Sequence, residues 1–236
     1  MADQIVDREV HLPGKTVQIK AYAARPAGAS SDQLPAVIVV QEWWGLNPNI
    51  HDITRRVARE GYFAVAPDLY SRQGHKVATD PNTAGQLMAG LKKEDGIEDL
   101  LATIGWIKTQ KEANAARIGV TGFCMGGSYA LLLPCSTRDI KAAAPFYGEV
   151  PPDDKLRELA CPIFYGYGEN DGWIQRRDVD RLSAALKKFG KHGEVKIYAG
   201  CSHGFFNDTR KDVYRPSEAK DAWDHMLKLF ADNLKK

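Results

Sequence analysis

A cysteine between paired glycines follows an apolar run and precedes a segment of helical periodicity. The run 118–120 leads into residues 121–127, whose sequence is TGFCMGG, with Cys124 at the centre. This pattern is typical of a nucleophile elbow, a sharp strand-to-helix turn that holds its nucleophile clear of the sheet in a strained conformation. A sulfur at a helix N-terminus is favoured as the thiolate. The pattern therefore predicts Cys124 as a nucleophile, and the alternative is a buried structural cysteine in a glycine-rich turn.

A thiol nucleophile needs a base and an acid that orients the base, and two later loops supply both in the order that such an elbow requires. Asp171 and His203 each come shortly after a late apolar run. We expect Asp171 to hold the imidazole tautomer, while His203 deprotonates the thiol and then protonates the leaving oxygen. Taken alone, each residue equally fits an ordinary turn or loop position. The nearby alternatives for the acid are Glu169 and Asn170.

The loop after the first long apolar run, 36–40, begins Gln-Glu-Trp-Trp-Gly. We expect the backbone N–H groups of Trp43 and Met125 to stabilise the oxyanion of a tetrahedral intermediate. Glu42 should lie at a strand end beside indole rings, where its carboxylate is partly desolvated. The alternative for Glu42 is a hydrated carboxylate at the rim, because charged residues avoid burial unless they are paired.

Apolar runs alternate with stretches of helical period, which is typical of βαβ units and of a mostly parallel central sheet with helices on both faces. Residues 5–12 and 16–23 flank a Pro-Gly-Lys turn and predict an N-terminal antiparallel hairpin. Ligands bind beyond the carboxyl ends of such strands, where the candidate residues fall. Residues 68–97 are predicted as an irregular excursion over the site with short helices, either a lid or an ordinary surface connection. The predicted strands cover 36–40, 63–66, 118–120, 142–146, 163–165 and 195–198, and the predicted helices cover 50–60, 97–111, 128–135, 179–189 and 219–234.

The composition is typical of a globular protein and excludes several classes. The 236 residues are 44% hydrophobic and 26% charged, which predicts one domain over residues 1–236. A net charge of +2 is too balanced for an electrostatic nucleic-acid binder. No apolar run is long enough to span a membrane, and the N-terminus lacks a secretory signal pattern, so we expect a cytoplasmic protein. The four cysteines show no zinc-binding spacing, so we expect no metal site.

Together these segments resemble the dienelactone hydrolases, the cysteine branch of the α/β-hydrolase fold. The resemblance rests on residues 37–42 and 122–127, with support from 67–73 and 200–205. It implies a triad of Cys124, His203 and Asp171. It also implies that the resting thiol hydrogen-bonds Glu42, which accepts its proton as substrate binds. Members of the family open the enol-lactone ring of dienelactone, relatives hydrolyse other esters and lactones, and no cofactor is used.

The chain departs from the family pattern where a substrate carboxylate would be held. The family places one arginine four residues after the catalytic histidine and another in the excursion over the site. Here the first position is Asn207, and no arginine occurs between Arg72 and Arg117. Substrate-binding arginines could instead be supplied by Arg72, Arg210 or Arg215, or these could be ordinary surface charges. Aromatic residues near the predicted strand ends favour an apolar or aryl ester, although we expect some of them to be core residues. The candidates are Trp43, Trp44, Phe123, Trp173, Phe205 and Phe206.

We therefore predict a monomeric or dimeric hydrolase that takes a small-molecule ester or lactone and has no nucleic-acid or membrane partner. The reaction would proceed through a thioester acyl-enzyme on Cys124. One alternative is a true dienelactone hydrolase whose carboxylate-binding arginines are displaced along the chain. Another is a catalytically silent protein of the same fold that serves as a binding module.

Overall fold

A computed structural model describes residues 4–28 and 33–235 and contains a single eight-stranded sheet in that part of the chain. The strand order is β1-β2-β4-β3-β5-β6-β7-β8. The β1–β2 and β2–β4 pairs are antiparallel, whereas the β3–β4, β6–β7 and β7–β8 pairs are parallel. This confirms the predicted mostly parallel sheet with an N-terminal antiparallel hairpin. The strands are β1 (Ile5–Pro13), β2 (Gln18–Pro26), β3 (Leu34–Val40), β4 (Phe63–Pro67), β5 (Ala113–Phe123), β6 (Ile140–Phe146), β7 (Ile163–Asn170) and β8 (Gly193–Ser202).

The chain divides into two compact units, Met1–Gly119 and Val120–Lys236. The prediction of one domain over residues 1–236 is not tested by this division and stays a prediction. Among the described residues, no helix is long and apolar enough to cross a membrane. The helices are α1 (Pro48–Arg59), α2 (Pro81–Gly90), α3 (Lys93–Ile107), α4 (Met125–Leu132), α5 (Asp153–Arg157), α6 (Arg176–Lys188) and α7 (Pro216–Leu234), with short 3₁₀ turns at Ser71–Gln73 and Leu133–Cys135.

The first unit is built around β3 and β4, whose apolar residues are buried as expected for parallel strands covered on both faces. Helix α1 packs against β2 and β4. It begins where Asn47 accepts a hydrogen bond from the N–H of Ile50 at 3.1 Å, and Pro48 occupies the first helical position. Its buried residues recur with helical period, so one face of α1 meets the sheet.

The predicted excursion at 68–97 contains helix α2 and the beginning of α3. Asp80 caps α2 by accepting the N–H of Thr83 at 3.0 Å, and Pro81 starts the helix. Gly85 and Gly90 lower the helix propensity of this segment and obscure its pattern. The cap and the proline were the sequence signals that mark this helix.

The core of the second unit contains a cluster of aromatic rings at the end of β6. Phe123, at the end of β5, stacks on Phe146 and on Phe206, each with ring centroids 4.9 Å apart. Helices α4 and α7 pack against β6, and α6 packs against β8. Both β7 and β8 extend beyond the predicted runs, because their last residues are polar or exposed and break the apolar pattern.

Two glycines let the start of α4 touch the chain that leaves β6. A Cβ on Gly127 would lie 2.1 Å from the carbonyl oxygen of Phe146, and a Cβ on Gly148 would lie 2.1 Å from the nitrogen of Ser128. Real Cβ atoms do not approach backbone this closely, so only glycine fits at either position. The contact is therefore backbone against backbone.

We predict that Gly127→Ala destabilises the protein by about 3 kcal/mol or more, because the added methyl group meets backbone that is held by the sheet. The matched control is Gly105→Ala in α3, where a Cβ meets no atom within 4 Å. That exchange should stabilise the protein by about 0.5–1 kcal/mol, since alanine is the better helix former. Urea unfolding of the three proteins measures both values. Equal stability of Gly127→Ala and wild type would contradict the close approach.

Candidate active site

Each of the last four strands is followed directly by a residue whose side chain is ionisable. Cys124 follows β5, Tyr147 follows β6, Asp171 follows β7 and His203 follows β8. All four belong to the second unit. Because β6, β7 and β8 are parallel, their carboxyl ends lie at one edge, where α/β sheets bind ligands.

Cys124 occupies a strained backbone position at the start of α4. Its dihedral angles are φ +57° and ψ −122°, outside the regions that non-glycine residues ordinarily adopt. Its N–H donates to the carbonyl of Phe146 at 3.1 Å, and its own carbonyl accepts the N–H of Gly127 at 2.9 Å. The turn thus has the geometry that a nucleophile elbow requires, with the cysteine at the positive end of a helix dipole.

Asp171 and His203 form a hydrogen-bonded pair. Nδ1 of the imidazole lies 2.8 Å from Oδ2 of Asp171, whose side chain is completely buried. Oδ1 of the same carboxylate accepts the N–H groups of Trp173 and Ile174, each at 2.8 Å. Both carboxylate oxygens are therefore in use, and the carboxylate is fixed by backbone. Since Nδ1 faces Asp171, Nε2 is the imidazole nitrogen left for chemistry, and a quarter of the side chain is exposed.

A register shift between β7 and β8 brings Asp171 and His203 opposite each other at the ends of these strands. Ile163 lies opposite Gly193, an offset of 193 − 163 = 30, whereas Asn170 lies opposite Ser202, an offset of 202 − 170 = 32. In the new register the next pair is Asp171 and His203. The two extra residues in β8 include a left-handed turn at Gly200, with φ +68°, and the N–H of Gly200 donates to the carboxylate of Glu169 at 3.0 Å. Glu169, an alternative for the acid in the sequence analysis, thus holds the turn.

Two aromatic rings contact the imidazole of His203 edge to face. The ring of Trp173, which was predicted to contact substrate, has its centroid 5.3 Å from the imidazole, and the ring of Tyr147 has its centroid at 4.9 Å. Trp173 is half-buried. Tyr147 was not singled out by the sequence analysis. Its signal was an aromatic residue directly after an apolar run, at the edge where the other candidates fall.

Other predicted aromatic contacts lie in the core. Phe123 is 1% exposed and packs in the stack with Phe146 and Phe206, and Phe205 is fully buried against the rings of Tyr147 and Tyr198. The burial of Phe123 and Phe205 is explained by this packing. Their predicted contact with substrate stays a prediction.

Glu42, Trp43 and Trp44 belong to the first unit, just beyond β3. Glu42 is 4% exposed, as expected of a desolvated carboxylate rather than a hydrated one. The two indoles are half-buried and meet edge to face, with ring centroids 5.0 Å apart. The Tyr70 hydroxyl donates to the carbonyl of Trp43 at 2.9 Å, and the N–H of Ala78 donates to the carbonyl of Trp44 at 2.9 Å. The loop is thus held by the segment after β4.

The arginines that could replace the family's carboxylate-binding pair already have partners. Arg72 forms ion pairs with Glu98, at 3.2 Å, and with the buried carboxylate of Asp99. Arg210 pairs with Asp212 on an exposed turn, and Arg215 donates to the carbonyl of Tyr214 at 3.1 Å. These contacts account for all three as structural charges, and a role for Arg72 in substrate binding stays a prediction.

Asn207, at the position where the family has an arginine, is buried and serves a local turn. Its Oδ1 accepts the N–H of Thr209 at 3.1 Å and the Thr209 hydroxyl at 2.6 Å. The position is therefore used for the shape of the loop after His203.

The other three cysteines differ chemically from a reactive thiol. Burial raises the pKa of Cys135 and of Cys161 to about 12, and burial also raises the pKa of Cys201. These thiols stay protonated near neutral pH and are poor nucleophiles. Within residues 4–28 and 33–235, no group of three His, Cys, Asp or Glu side chains is arranged to hold a metal ion.

Comparison with known proteins places the chain in a family. The sequence pattern described as "Dienelactone hydrolase family" matches residues 19–234. The chain is 34% identical to Protein usf of Aquifex pyrophilus, over 92% of this chain and 95% of that protein. It is also 34% identical to a Synechocystis protein provisionally named a carboxymethylenebutenolidase, over 96% of each.

A solved structure supports the same relationship. A Klebsiella pneumoniae protein provisionally named a dienelactone hydrolase superposes with a TM-score of 0.90 at 32% identity, covering 97% of this chain and 99% of that one. The predicted α/β-hydrolase fold is thereby confirmed. The family pattern spans most of the chain and the relatives align over nearly their whole length, so the chain belongs to the dienelactone hydrolase family and is a hydrolase of the ester- and lactone-cleaving kind.

Proposed function

We propose that the protein hydrolyses carboxylic esters or lactones through a thioester on Cys124, with His203 as base and Asp171 as the acid that orients it. The observation that carries the proposal is the 2.8 Å contact between Asp171 and His203, made on strands that are shifted in register at that point. The strained position of Cys124, in the same unit and after a strand of the same sheet, supports its role as nucleophile.

The reaction follows from these roles in two halves. His203 takes the thiol proton as the sulfur attacks the acyl carbon, and the carbonyl oxygen becomes an oxyanion. Collapse of this intermediate breaks the bond to the leaving oxygen, which receives the proton from the imidazolium and leaves Cys124 as a thioester. His203 then takes a proton from water as the water attacks the thioester. Collapse of the second intermediate releases the acid and returns the proton to the sulfur.

The buried carboxylate of Asp171 determines which nitrogen of His203 acts. A carboxylate that accepts from Nδ1–H holds the tautomer whose Nε2 can accept a proton, and it stabilises the imidazolium that forms. The two backbone donors on Oδ1 keep the carboxylate from turning toward another partner.

Two further roles complete the proposal. We assign oxyanion stabilisation to the N–H groups of Met125 and Trp43. Met125 is the first residue of α4, where the helix dipole favours negative charge. The family resemblance implies an alternative acceptor for the thiol proton, the carboxylate of Glu42, which would take the place of His203 in the first proton transfer as substrate binds and would give that proton up to the leaving oxygen. The burial of Glu42 supports this role, because the resemblance leads us to expect a carboxylate that is shielded from water.

The proposed substrate is a neutral, apolar or aryl ester. A substrate carboxylate needs charge-assisted donors, each worth about 1.5–3 kcal/mol. The loop after His203 offers Asn207 in place of an arginine, and Arg72 and Arg210 are already paired with acidic side chains. The half-buried indole of Trp173 beside His203 is instead suited to an apolar group. A true dienelactone hydrolase remains the second candidate, which is favoured by the relatives provisionally named carboxymethylenebutenolidases.

We predict that Cys124→Ala lowers kcat on p-nitrophenyl acetate by several orders of magnitude, because the members of a triad act as a unit. The matched control is Cys135→Ala, which removes a thiol that stays protonated and should keep the wild-type rate. Steady-state assays on the purified variants measure both. Undiminished turnover by Cys124→Ala would remove the nucleophile assignment. A folded wild type that neither hydrolyses esters nor is alkylated at Cys124 would instead favour the silent binding module.

We predict that Asp171→Asn lowers kcat by ~10³-fold or more, because the amide favours the wrong imidazole tautomer while leaving the geometry intact. The control is Glu169→Gln, whose amide oxygen can still accept the N–H of Gly200. This variant should have nearly the wild-type kcat. The result that contradicts the assignment is the reverse order, with Glu169→Gln the more damaging exchange.

We predict that a lactone bearing a free carboxylate is hydrolysed with a kcat/KM at least about tenfold below that of its methyl ester, which is the equivalent of one lost charge-assisted hydrogen bond. Kinetics on the two compounds under identical conditions provide the measurement. A preference for the charged compound would replace the apolar-ester proposal with that of a true dienelactone hydrolase.

A further inference from the structure

Tyr147 is the first residue after β6, just as Cys124, Asp171 and His203 are the first residues after β5, β7 and β8. The proposed mechanism gives a task to three of these residues and none to Tyr147. The residue is nevertheless fully buried, and its ring lies against the imidazole of His203.

The backbone of Tyr147 is strained. Its φ of +39° lies in the left-handed region, which is unfavourable for a bulky residue. Glycine adopts this region without cost, and the next residue is a glycine, Gly148. The strained position is nevertheless occupied by the aromatic Tyr147 and not by this neighbouring glycine. Strain of this kind persists where the surrounding structure holds the residue in place.

Residues 146–149, the β6 exit segment, are hydrogen-bonded on two sides. Toward α4, the carbonyl of Phe146 accepts the N–H of Cys124 at 3.1 Å, and the N–H of Glu149 donates to the Ser128 hydroxyl at 2.8 Å. The segment is thus fixed to the turn that carries Cys124.

Toward β7, the same segment makes two more hydrogen bonds. The N–H of Tyr147 donates to the carbonyl of Gly166 at 2.8 Å, and the buried Tyr165 hydroxyl donates to the carbonyl of Gly148 at 2.5 Å. The β6 exit segment therefore joins the nucleophile turn to the strand that ends at Asp171.

The Tyr147 ring extends this connection to the base. It meets the imidazole of His203 at 4.9 Å and 69°, and it meets the ring of Phe205 at 5.6 Å. Edge-to-face pairs of this kind stabilise a structure beyond the effect of the area that they bury. Asp171 fixes one nitrogen of the imidazole but leaves rotation about the hydrogen bond open, and a ring against the imidazole restricts that rotation.

We propose that Tyr147 is a positioning residue, which sets the angle of the His203 imidazole relative to Cys124 through a segment hydrogen-bonded to the nucleophile turn. The inference rests on the proposed function, in which His203 and Cys124 exchange a proton. A misplacement of about 1 Å can cost ~10²-fold in rate, so an aromatic contact that holds the ring is sufficient to matter.

The test compares Tyr147→Leu, which removes the ring, with Tyr147→Phe, which keeps it. The matched control is Phe164→Leu, since Phe164 is a buried aromatic of the same unit that contacts Phe146 and His225. On p-nitrophenyl acetate, Tyr147→Leu should lower kcat by ~10–100-fold with little change in KM. Tyr147→Phe should keep a kcat near that of the wild type. Phe164→Leu should lower the free energy of unfolding without lowering kcat.

A second readout separates positioning from general loosening of the fold. The alkylation rate of Cys124 by iodoacetamide at neutral pH depends on the contact between thiol and imidazole, so Tyr147→Leu should slow it and Phe164→Leu should not. If Tyr147→Leu does not fold, Tyr147→Met, which fills more of the volume, is expected to give the same losses.

Two results would overturn the inference. One is a wild-type kcat and alkylation rate in Tyr147→Leu or Tyr147→Met, and the other is an equal loss in Phe164→Leu. Cys124→Ala assayed in parallel keeps the two proposals apart. Its inactivity beside an unimpaired Tyr147→Leu overturns this inference alone, whereas its full activity overturns the proposed function.

Discussion

The second unit depends on a contact between two stretches of backbone, the first turn of α4 and the chain leaving β6. Gly127 and Gly148 permit this contact, because a methyl group on either would lie 2.1 Å from a backbone atom of the other stretch. The hydrogen bond from Cys124 N–H to the carbonyl of Phe146 spans the same contact. The backbone that carries Cys124 is therefore fixed by main-chain atoms rather than by side-chain contacts. Under the proposed function, a nucleophile on a backbone held in this way would need little reorganisation when it reacts.

The buried polar groups of this unit differ in their hydrogen bonding and in their expected reactivity. Asp171 is fully buried, yet both of its oxygens are hydrogen-bonded, which is the condition under which a buried carboxylate is tolerated. The thiols of Cys135 and Cys161 are also buried, and burial raises the pKa of each to about 12. The same residue type is thus a protonated thiol in the core, whereas Cys124 occupies a strained turn, where we propose that it is the nucleophile.

The sequence predicted much of this arrangement because each candidate comes just after a strand. Apolar runs locate strands, and glycine spacing locates the turn at Cys124, so both signals are local. The pattern did not reveal that Phe123 and Phe205 are core residues, because an aromatic residue near a strand end fits a core as well as a pocket. Tyr147 was missed for a related reason. Its proposed positioning role depends on a positive φ and on hydrogen bonds to residues distant in sequence, and neither can be read from the sequence alone.

The register shift in the β7–β8 ladder has a consequence for anyone who would transplant this chemistry onto a designed scaffold. A regular parallel ladder keeps one offset along its length, and the offset of 30 found at Ile163 would put Asp171 opposite Cys201 rather than His203. Two residues correspond to roughly 6.6 Å along a strand, which is more than twice a hydrogen-bond length. A grafted acid and base would therefore need the turn at Gly200 to be transferred with them. In the proposed mechanism, the irregularity in the ladder matters as much as the side chains that it aligns.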